Sequence, residues 1–358
     1  MSNQTITRLR PELAQLHAYA VPDASGMVKL DAMENPFAWP VDMRSKWLEC
    51  ISRAQVNRYP EPNPEKLKLR LKQQFGPQDD SALLLGNGSD ELIQLLVLAI
   101  AKPGACVLTV SPSFSMYQMI AQMIDVDCHV VPLDDAYQLD AEAMLKAIDT
   151  YDPALIFIAY PNNPTGNLWQ RDNVQAIIEH SQGLVVIDEA YGPFAKDSFA
   201  EDLAKYDNML LLRTASKLGL AGVRFGWLTG EKQLIGELNK IRLPYNINQL
   251  TQLTIEFALE NYTVFAEQAE AIRTMRGSLF AQLSEMEGIK PFVSEANFIL
   301  FKVLSRSADD VFNSLLEQKV LIKNLSKQAG LEQCLRVTVG SKEENKIFCN
   351  ALVKALAA

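Results

Sequence analysis

Four apolar runs set the first constraint on this chain: "CVLTV" (106–110), "LIFIAY" (155–160), "LVVIDEA" (184–190) and "MLLLRT" (209–214). Each has the length of a strand and is apolar at successive positions, whereas a strand with one face in water alternates apolar with polar residues. Such runs suit a sheet covered on both faces, which means a parallel sheet flanked by helices. The intervening segments supply the helices, since "SMYQMIAQMI" and "NVQAIIEH" carry apolar residues at helical spacing. The alternation specifies an α/β fold with a mostly parallel central sheet and right-handed crossovers.

The final third reads differently. A long helical stretch, "NYTVFAEQAEAIRTMRGSLFAQLSEM", is followed by strand-like "NFILFKV" and "CLRVTVG" and by a closing helix. The expected organisation is an N-terminal segment (1–40) joining the small domain and the active site, a large domain (41–270) and a smaller α+β C-terminal domain (271–358). No fixed-period repeat or low-complexity tract interrupts it.

Charge and cysteine content exclude several function classes. A formal charge of −9 argues against general affinity for nucleic acid or an acidic membrane surface, so an anionic ligand must be met by particular residues. Five cysteines, at 50, 106, 128, 334 and 349, show no CxxC pairing, and histidine occurs only at 17, 129 and 180. Reduced thiols are expected, and no metal site. The N-terminal "MSNQTITRLRPELAQL" lacks the apolar core of a signal peptide, and "LIQLLVLAIA" is too short to span a bilayer, so the expected location is the cytoplasm.

In open parallel sheets ligands collect outside the carboxyl ends of the strands. These four runs and a fifth, "LLL" (83–85), end in polar or turn-forming groups: "GNGSDE" (86–91) after "LLL", then "SPSF", "PNNPTG" (161–166), "DEAY" and "ASK". "GNGSDE" opens an apolar helix. Its free amides at Ser89 and Asp90 can hold an anion, or Ser89 can simply cap the helix. Glu91 replaces the third glycine of a dinucleotide fingerprint, which weakens that reading. "PNNPTG" presents Asn163 from a stiff turn, although turns of this composition also occur for structural reasons alone. Asp188 ends an apolar run, where an unpaired carboxylate is costly, so it needs a cationic or donor partner; Tyr191 can face the same ligand. Lys217, at a strand end, is placed to have its amine pKa lowered and to form a Schiff base, or it is an exposed loop lysine. Thr214, Ser216 and Arg224 beside it can form a phosphate cup. A lysine for an aldehyde and a cup for a phosphate describe one cofactor.

The set "RYP", "GNGSDE", "SPSF", "PNNPTG", "DEAY", "SKLGLAGVR" and "CLRVTVG", in this order, resembles the pyridoxal-phosphate aminotransferases of fold type I, and more closely the histidinol-phosphate aminotransferases. The similarity extends from "LDAMENPF" to "CLRVTVGSKEEN". The resemblance implies that Lys217 holds pyridoxal 5'-phosphate as an internal aldimine and shuttles a proton. It implies that Asp188 pairs with the pyridine nitrogen, that Tyr191 and Asn163 hydrogen-bond the ring oxygen and that Phe114 stacks on the ring. Ser89, Asp90, Thr214, Ser216 and Arg224 are implied around the phosphate, with Tyr59 reaching the phosphate of a neighbouring subunit in a homodimer. Arg336 and Lys323 are implied at the anionic end of the substrate, with Tyr19 and Asn35 lining the same pocket. The implied reaction is reversible amino transfer between L-histidinol phosphate and 2-oxoglutarate, in histidine biosynthesis. An aromatic amino acid aminotransferase, or a decarboxylase of a phosphorylated amino acid, shares the starting chemistry and remains an alternative. The run from Lys217 to Arg224 is one residue shorter than usual in the family, so a tighter loop is expected.

Overall fold

The computed structural model describes residues 9–10, 22–76 and 80–357. After β1 (Val28–Lys29) the chain forms α1 (Val41–Ile51), α2 (Glu65–Phe75), β2 (Ala82–Gly86), α3 (Ser89–Ile100), β3 (Cys106–Ser111), α4 (Met116–Ile124) and β4 (Asp127–Pro132). There follow α5 (Ala141–Tyr151), β5 (Leu155–Ala159), α6 (Arg171–His180), β6 (Leu184–Asp188), β7 (Met209–Thr214), β8 (Gly226–Gly230), α7 (Lys232–Asn239), α8 (Gln249–Glu260) and the long α9 (Tyr262–Ser284). The chain closes with β9 (Ile289–Pro291), β10 (Phe298–Val303), α10 (Ala308–Glu317), β11 (Val320–Leu321), β12 (Lys323–Asn324), β13 (Cys334–Thr338) and α11 (Lys342–Ala357).

The central sheet has the order β2-β8-β7-β6-β5-β3-β4. From β7 to β4 every pairing is parallel, while β8 runs antiparallel to both β2 and β7. Successive side chains of the apolar runs go to opposite faces. Leu155, Phe157 and Ala159 join Val186 and Leu210 in one core with residues of α3 and α4. Ile156, Ile158, Val185 and Ile187 join a second core with residues of α5 and α6. Both faces are covered, which is why these strands are apolar throughout. Each buried Val, Leu, Ile or Phe among them contributes about 1.5–3 kcal/mol by leaving water.

The second sheet, β12-β13-β10-β9, is antiparallel. β1 pairs in parallel with β11, with Val28 opposite Val320, and so ties the segment before α1 to the C-terminal part. Residue 270 lies inside α9: Phe265 packs with Phe257 and Leu218, whereas Ile272, Met275 and Leu279 pack with Phe298 and Phe301. All five cysteines are free thiols. Among the described residues no helix is long and apolar enough to cross a membrane, and no group of three or more His, Cys, Asp or Glu could hold a metal ion.

Candidate active site

The carboxyl ends of β5, β6 and β7, the amino end of α3 and the turn before α4 converge on one cleft of about 240 Å³. Its lining includes Ser89, Asp90, Phe114, Asn163, Asp188, Tyr191, Thr214, Ser216, Lys217 and Arg224. Ala32, Met33 and Glu34 close it from the N-terminal side.

Lys217 sits in the tight turn Ser216–Leu218 directly after β7. A second turn, Ala221–Val223, brings Arg224 back to the sheet. Gly219 (φ 110°) and Arg224 (φ 52°) are both left-handed, and the Ala215 amide bonds the Phe225 carbonyl at 2.9 Å. The two left-handed residues and this bond close the run into a compact double turn. Lys217 Nζ donates to the Ala32 carbonyl at 3.3 Å and lies 5.7 Å from the Tyr191 ring centre. Burial lowers its pKa to about 8; Arg336 and Arg224 act in the same direction, and Glu34 and Asp90 oppose them. A useful fraction of the amine is therefore neutral near physiological pH.

Asp188 is 3% exposed at the end of β6. Its carboxylate accepts from the Tyr117 phenol at 2.6 Å and from the Ala190 amide at 3.0 Å. Burial still raises its pKa to about 6 against these two bonds, with Asp90 and Glu189 adding to the rise. A buried carboxyl held this way favours a cation or protonated nitrogen in the cleft.

Helix α3 begins at Ser89 with Gly88 as its cap residue, and no side chain caps it. Ser89 is therefore not the cap. Glu91 instead accepts from the Asn87 amide at 2.6 Å, leaving the first helical amides facing the cleft. Arg224 stands over them, 3.3 Å from Asp90 Oδ2 and 3.4 Å from Ser216 Oγ. Thr214 Oγ1 donates to the Phe225 carbonyl at 3.0 Å, and Ser216 Oγ lies 3.0 Å from the same hydroxyl oxygen. Two glycines permit this approach. A Cβ on Gly88 would lie 2.6 Å from Arg224 Nη2, and one on Gly226 would lie 2.7 Å from the Ser89 amide nitrogen.

Asn163 joins the two halves of the site. Its Nδ2 donates to the Tyr191 hydroxyl at 3.0 Å, and its Oδ1 accepts from Arg336 Nη1. Arg336 also donates to the Asp31 carbonyl at 3.1 Å and lies over the Phe298 ring. Lys323 is directly opposite Arg336 in the β12–β13 ladder, so both cationic side chains emerge on one face.

The sequence profile of the aminotransferases of class I and II matches residues 25–352. A histidinol-phosphate aminotransferase 2 of Nitrosococcus oceani is 50% identical over 345 residues, covering 96% of each chain. A histidinol-phosphate aminotransferase 1 of Ralstonia nicotianae is 45% identical over 354 residues, covering 97% of this chain and 94% of its own. This chain belongs to the histidinol-phosphate aminotransferase family, within the aminotransferases of class I and II. The fold agrees with that of the Sinorhizobium meliloti histidinol-phosphate aminotransferase in complex with pyridoxal-5'-phosphate, at a TM-score of 0.87, 21% identity and 98% coverage of both chains.

The residues of this aminotransferase fit such a cofactor on three counts. An amine of lowered pKa suits its aldehyde, a buried carboxyl suits its ring nitrogen, and helix amides with an arginine, kept open by Gly88 and Gly226, suit its phosphate.

Other expected residues lie elsewhere. Asn35 is tied to the lysine loop, donating to the Leu218 carbonyl at 3.1 Å and to Gln268 at 2.9 Å, and is not among the side chains lining the cleft. Tyr59 is 80% exposed and stacks on Tyr245 with ring centres 4.5 Å apart, outside the cleft of its own chain. Tyr19 lies outside the described residues. The structure also reveals Tyr117, which sequence reasoning took only as one apolar position of a helix. Its phenol, three residues after Phe114 and in the first turn of α4, was the available signal.

Proposed function

We propose that this protein reversibly transfers the amino group of L-histidinol phosphate to 2-oxoglutarate, giving imidazole acetol phosphate and glutamate, in histidine biosynthesis. The observation that carries the reading is the convergence of Lys217, Asp188 and Arg224 on one cleft, with Arg336 bonded to Asn163 of its lining. Lys323 is opposite Arg336 in the β12–β13 ladder, so a dianionic phosphate bound there meets two cations on one face. The names of relatives at 43–50% identity support the same substrate.

Pyridoxal 5'-phosphate supplies an electron sink for the carbanion left when the substrate carbon loses its proton. Lys217 Nζ binds the cofactor and moves that proton. Asp188 keeps the ring nitrogen protonated, Tyr191 and Asn163 hold the ring oxygen, and Phe114 covers the ring face. Ser89 and Asp90, through their amides, hold the phosphate with Thr214, Ser216 and Arg224. Arg336 and Lys323 receive the substrate's anionic end, Tyr19 lines the same pocket, and Asn35 braces the lysine loop behind it.

The chain works as a larger domain (41–270) and a smaller one (271–358), joined by the segment 1–40. It acts in the cytoplasm as a homodimer in which Tyr59 reaches the neighbouring site. Exposed Val41, Val56, Tyr59 and Leu243 support such an interface.

Steady-state kinetics on histidinol phosphate, phenylalanine and threonine phosphate, with carbon dioxide monitored, test the substrate. The highest kcat/KM is expected for histidinol phosphate. A dominant rate on phenylalanine, or carbon dioxide release from threonine phosphate, would replace this assignment.

A further inference from the structure

Beneath the floor of the cleft lies a second charged group that the reaction chemistry does not use. Asp188 and Thr214 end β6 and β7 on the cleft side, and their sequence neighbours Glu189 and Arg213 project away from it. The Glu189 side chain is fully buried and Arg213 nearly so. Glu189 accepts from Arg213 Nη2 at 2.7 Å and Nε at 3.0 Å, from the Phe199 amide at 2.7 Å and from Ser198 Oγ at 2.9 Å. Arg213 Nη1 donates to the Phe75 carbonyl at the end of α2. The Glu189 amide bonds the Leu212 carbonyl at 2.8 Å, which locks the two strand ends together.

We propose that the Glu189–Arg213 pair is a positioning unit that fixes Asp188 and Thr214 for the cofactor by tying the ends of β6 and β7 to α2 and to the Ser198–Phe199 turn. The inference rests on the cofactor reading above. A buried pair with every donor matched gives little net stability, but removing one partner leaves an uncompensated charge next to Asp188. Arg213 also borders a cavity of about 140 Å³ with Phe75, Trp227 and Tyr262, so without Glu189 it has space to swing away and release the strand ends. Asp188 is faced by Tyr117 from α4, Asp90 from α3 and Tyr191 from its own loop, and none of these contacts Arg213. On the far side of Arg213 lie Tyr262 and Arg273 of α9.

The test uses full-length holoenzyme carrying Glu189→Gln, Arg213→Gln and Arg213→Lys. Cofactor affinity, measured by titrating pyridoxal phosphate into the resolved protein, is expected to fall about tenfold or more in each, because a misplaced site of this kind loses binding without losing the fold. The acid limb of kcat is expected to move to lower pH in Glu189→Gln and to higher pH in Arg213→Gln, since the first removes a negative charge beside Asp188 and the second leaves it unopposed. Arg213→Lys keeps the charge and loses the fork, so it lowers affinity with the limb in place. If Arg213→Gln does not fold, the other two variants decide. Folded variants with wild-type cofactor affinity, or acid limbs that move in the same direction, would overturn the proposal. A wild-type protein inactive on histidinol phosphate would instead remove the functional reading, while the affinity series still reports on the pair.

Discussion

The Tyr117 phenol donates a 2.6 Å hydrogen bond to Asp188 Oδ2 while its ring stacks on Phe157, with centres 4.5 Å apart and planes within 1°. One residue of α4 thus helps, with the Ala190 amide, to orient the buried carboxyl and to offset the effect of burial on its protonation. The bond holds the Asp188 pKa below the value that burial alone would impose. Tyr117→Phe keeps the stacking and removes the bond, so the acid limb of the pH–rate profile is expected to shift to higher pH. A hydrogen bond to a charged group is worth about 1.5–3 kcal/mol, so kcat is expected to fall about tenfold or more. A pH series of kcat on the variant measures both effects.

Asp188 is a site where function opposes stability. Its pKa rises from 3.8 to about 6 on folding, so the folded state binds more protons across that interval and loses stability as pH rises through it. Above pH 6 the loss is complete and constant. Asp188→Asn is therefore expected to stabilise the cofactor-free protein by about 1–3 kcal/mol at pH 7.5 while nearly abolishing amino transfer. Denaturant melts of the two apo-proteins give the first quantity and an activity assay the second.

With a pKa of about 8, the Lys217 amine gains its nucleophilic form as pH rises from 7 to 9. The rate at which cofactor-free protein captures pyridoxal phosphate is expected to rise with it and to level off above pH 9. Stopped-flow absorbance follows the capture. Lys217→Ala is expected to bind the cofactor reversibly, without the covalent spectrum, and to retain almost no transamination.

Lys323 and Arg336 stand opposite one another in the β12–β13 ladder. Replacing Lys323 with Met removes one of two charges on a shared face. The expected result is a larger rise in KM for histidinol phosphate, whose phosphate is a dianion, than for glutamate. Parallel Michaelis–Menten series on the two amines measure the difference.

The central strands were legible because a sheet buried on both faces leaves no polar position in "LIFIA" or "LVVI". The antiparallel return of β8 was not, since "GWLTG" carries no direction in its pattern, and its run back along β7 follows from the turn through Lys217 and Arg224. The polar residues at strand ends marked the cleft, and Asp188 stood out as a carboxylate closing an apolar run. Tyr117 did not stand out, because an amphipathic helix tolerates an aromatic residue at any buried position and its phenol is polar only toward Asp188. Glu189 and Arg213 were hidden for a related reason. Each is an ordinary charged residue beside a notable one, and only the strand register brings them within 2.7 Å. The tie of Asn35 to the lysine loop likewise depends on contacts 183 and 233 residues apart in sequence.

The most direct test of the account is the pair of half-reactions on the purified, cofactor-loaded protein. Histidinol phosphate is expected to discharge the aldehyde form of the cofactor in a single turnover, and 2-oxoglutarate then to restore it with one equivalent of glutamate released. A cofactor spectrum unchanged by histidinol phosphate, or one discharged but not restored by 2-oxoglutarate, would contradict it.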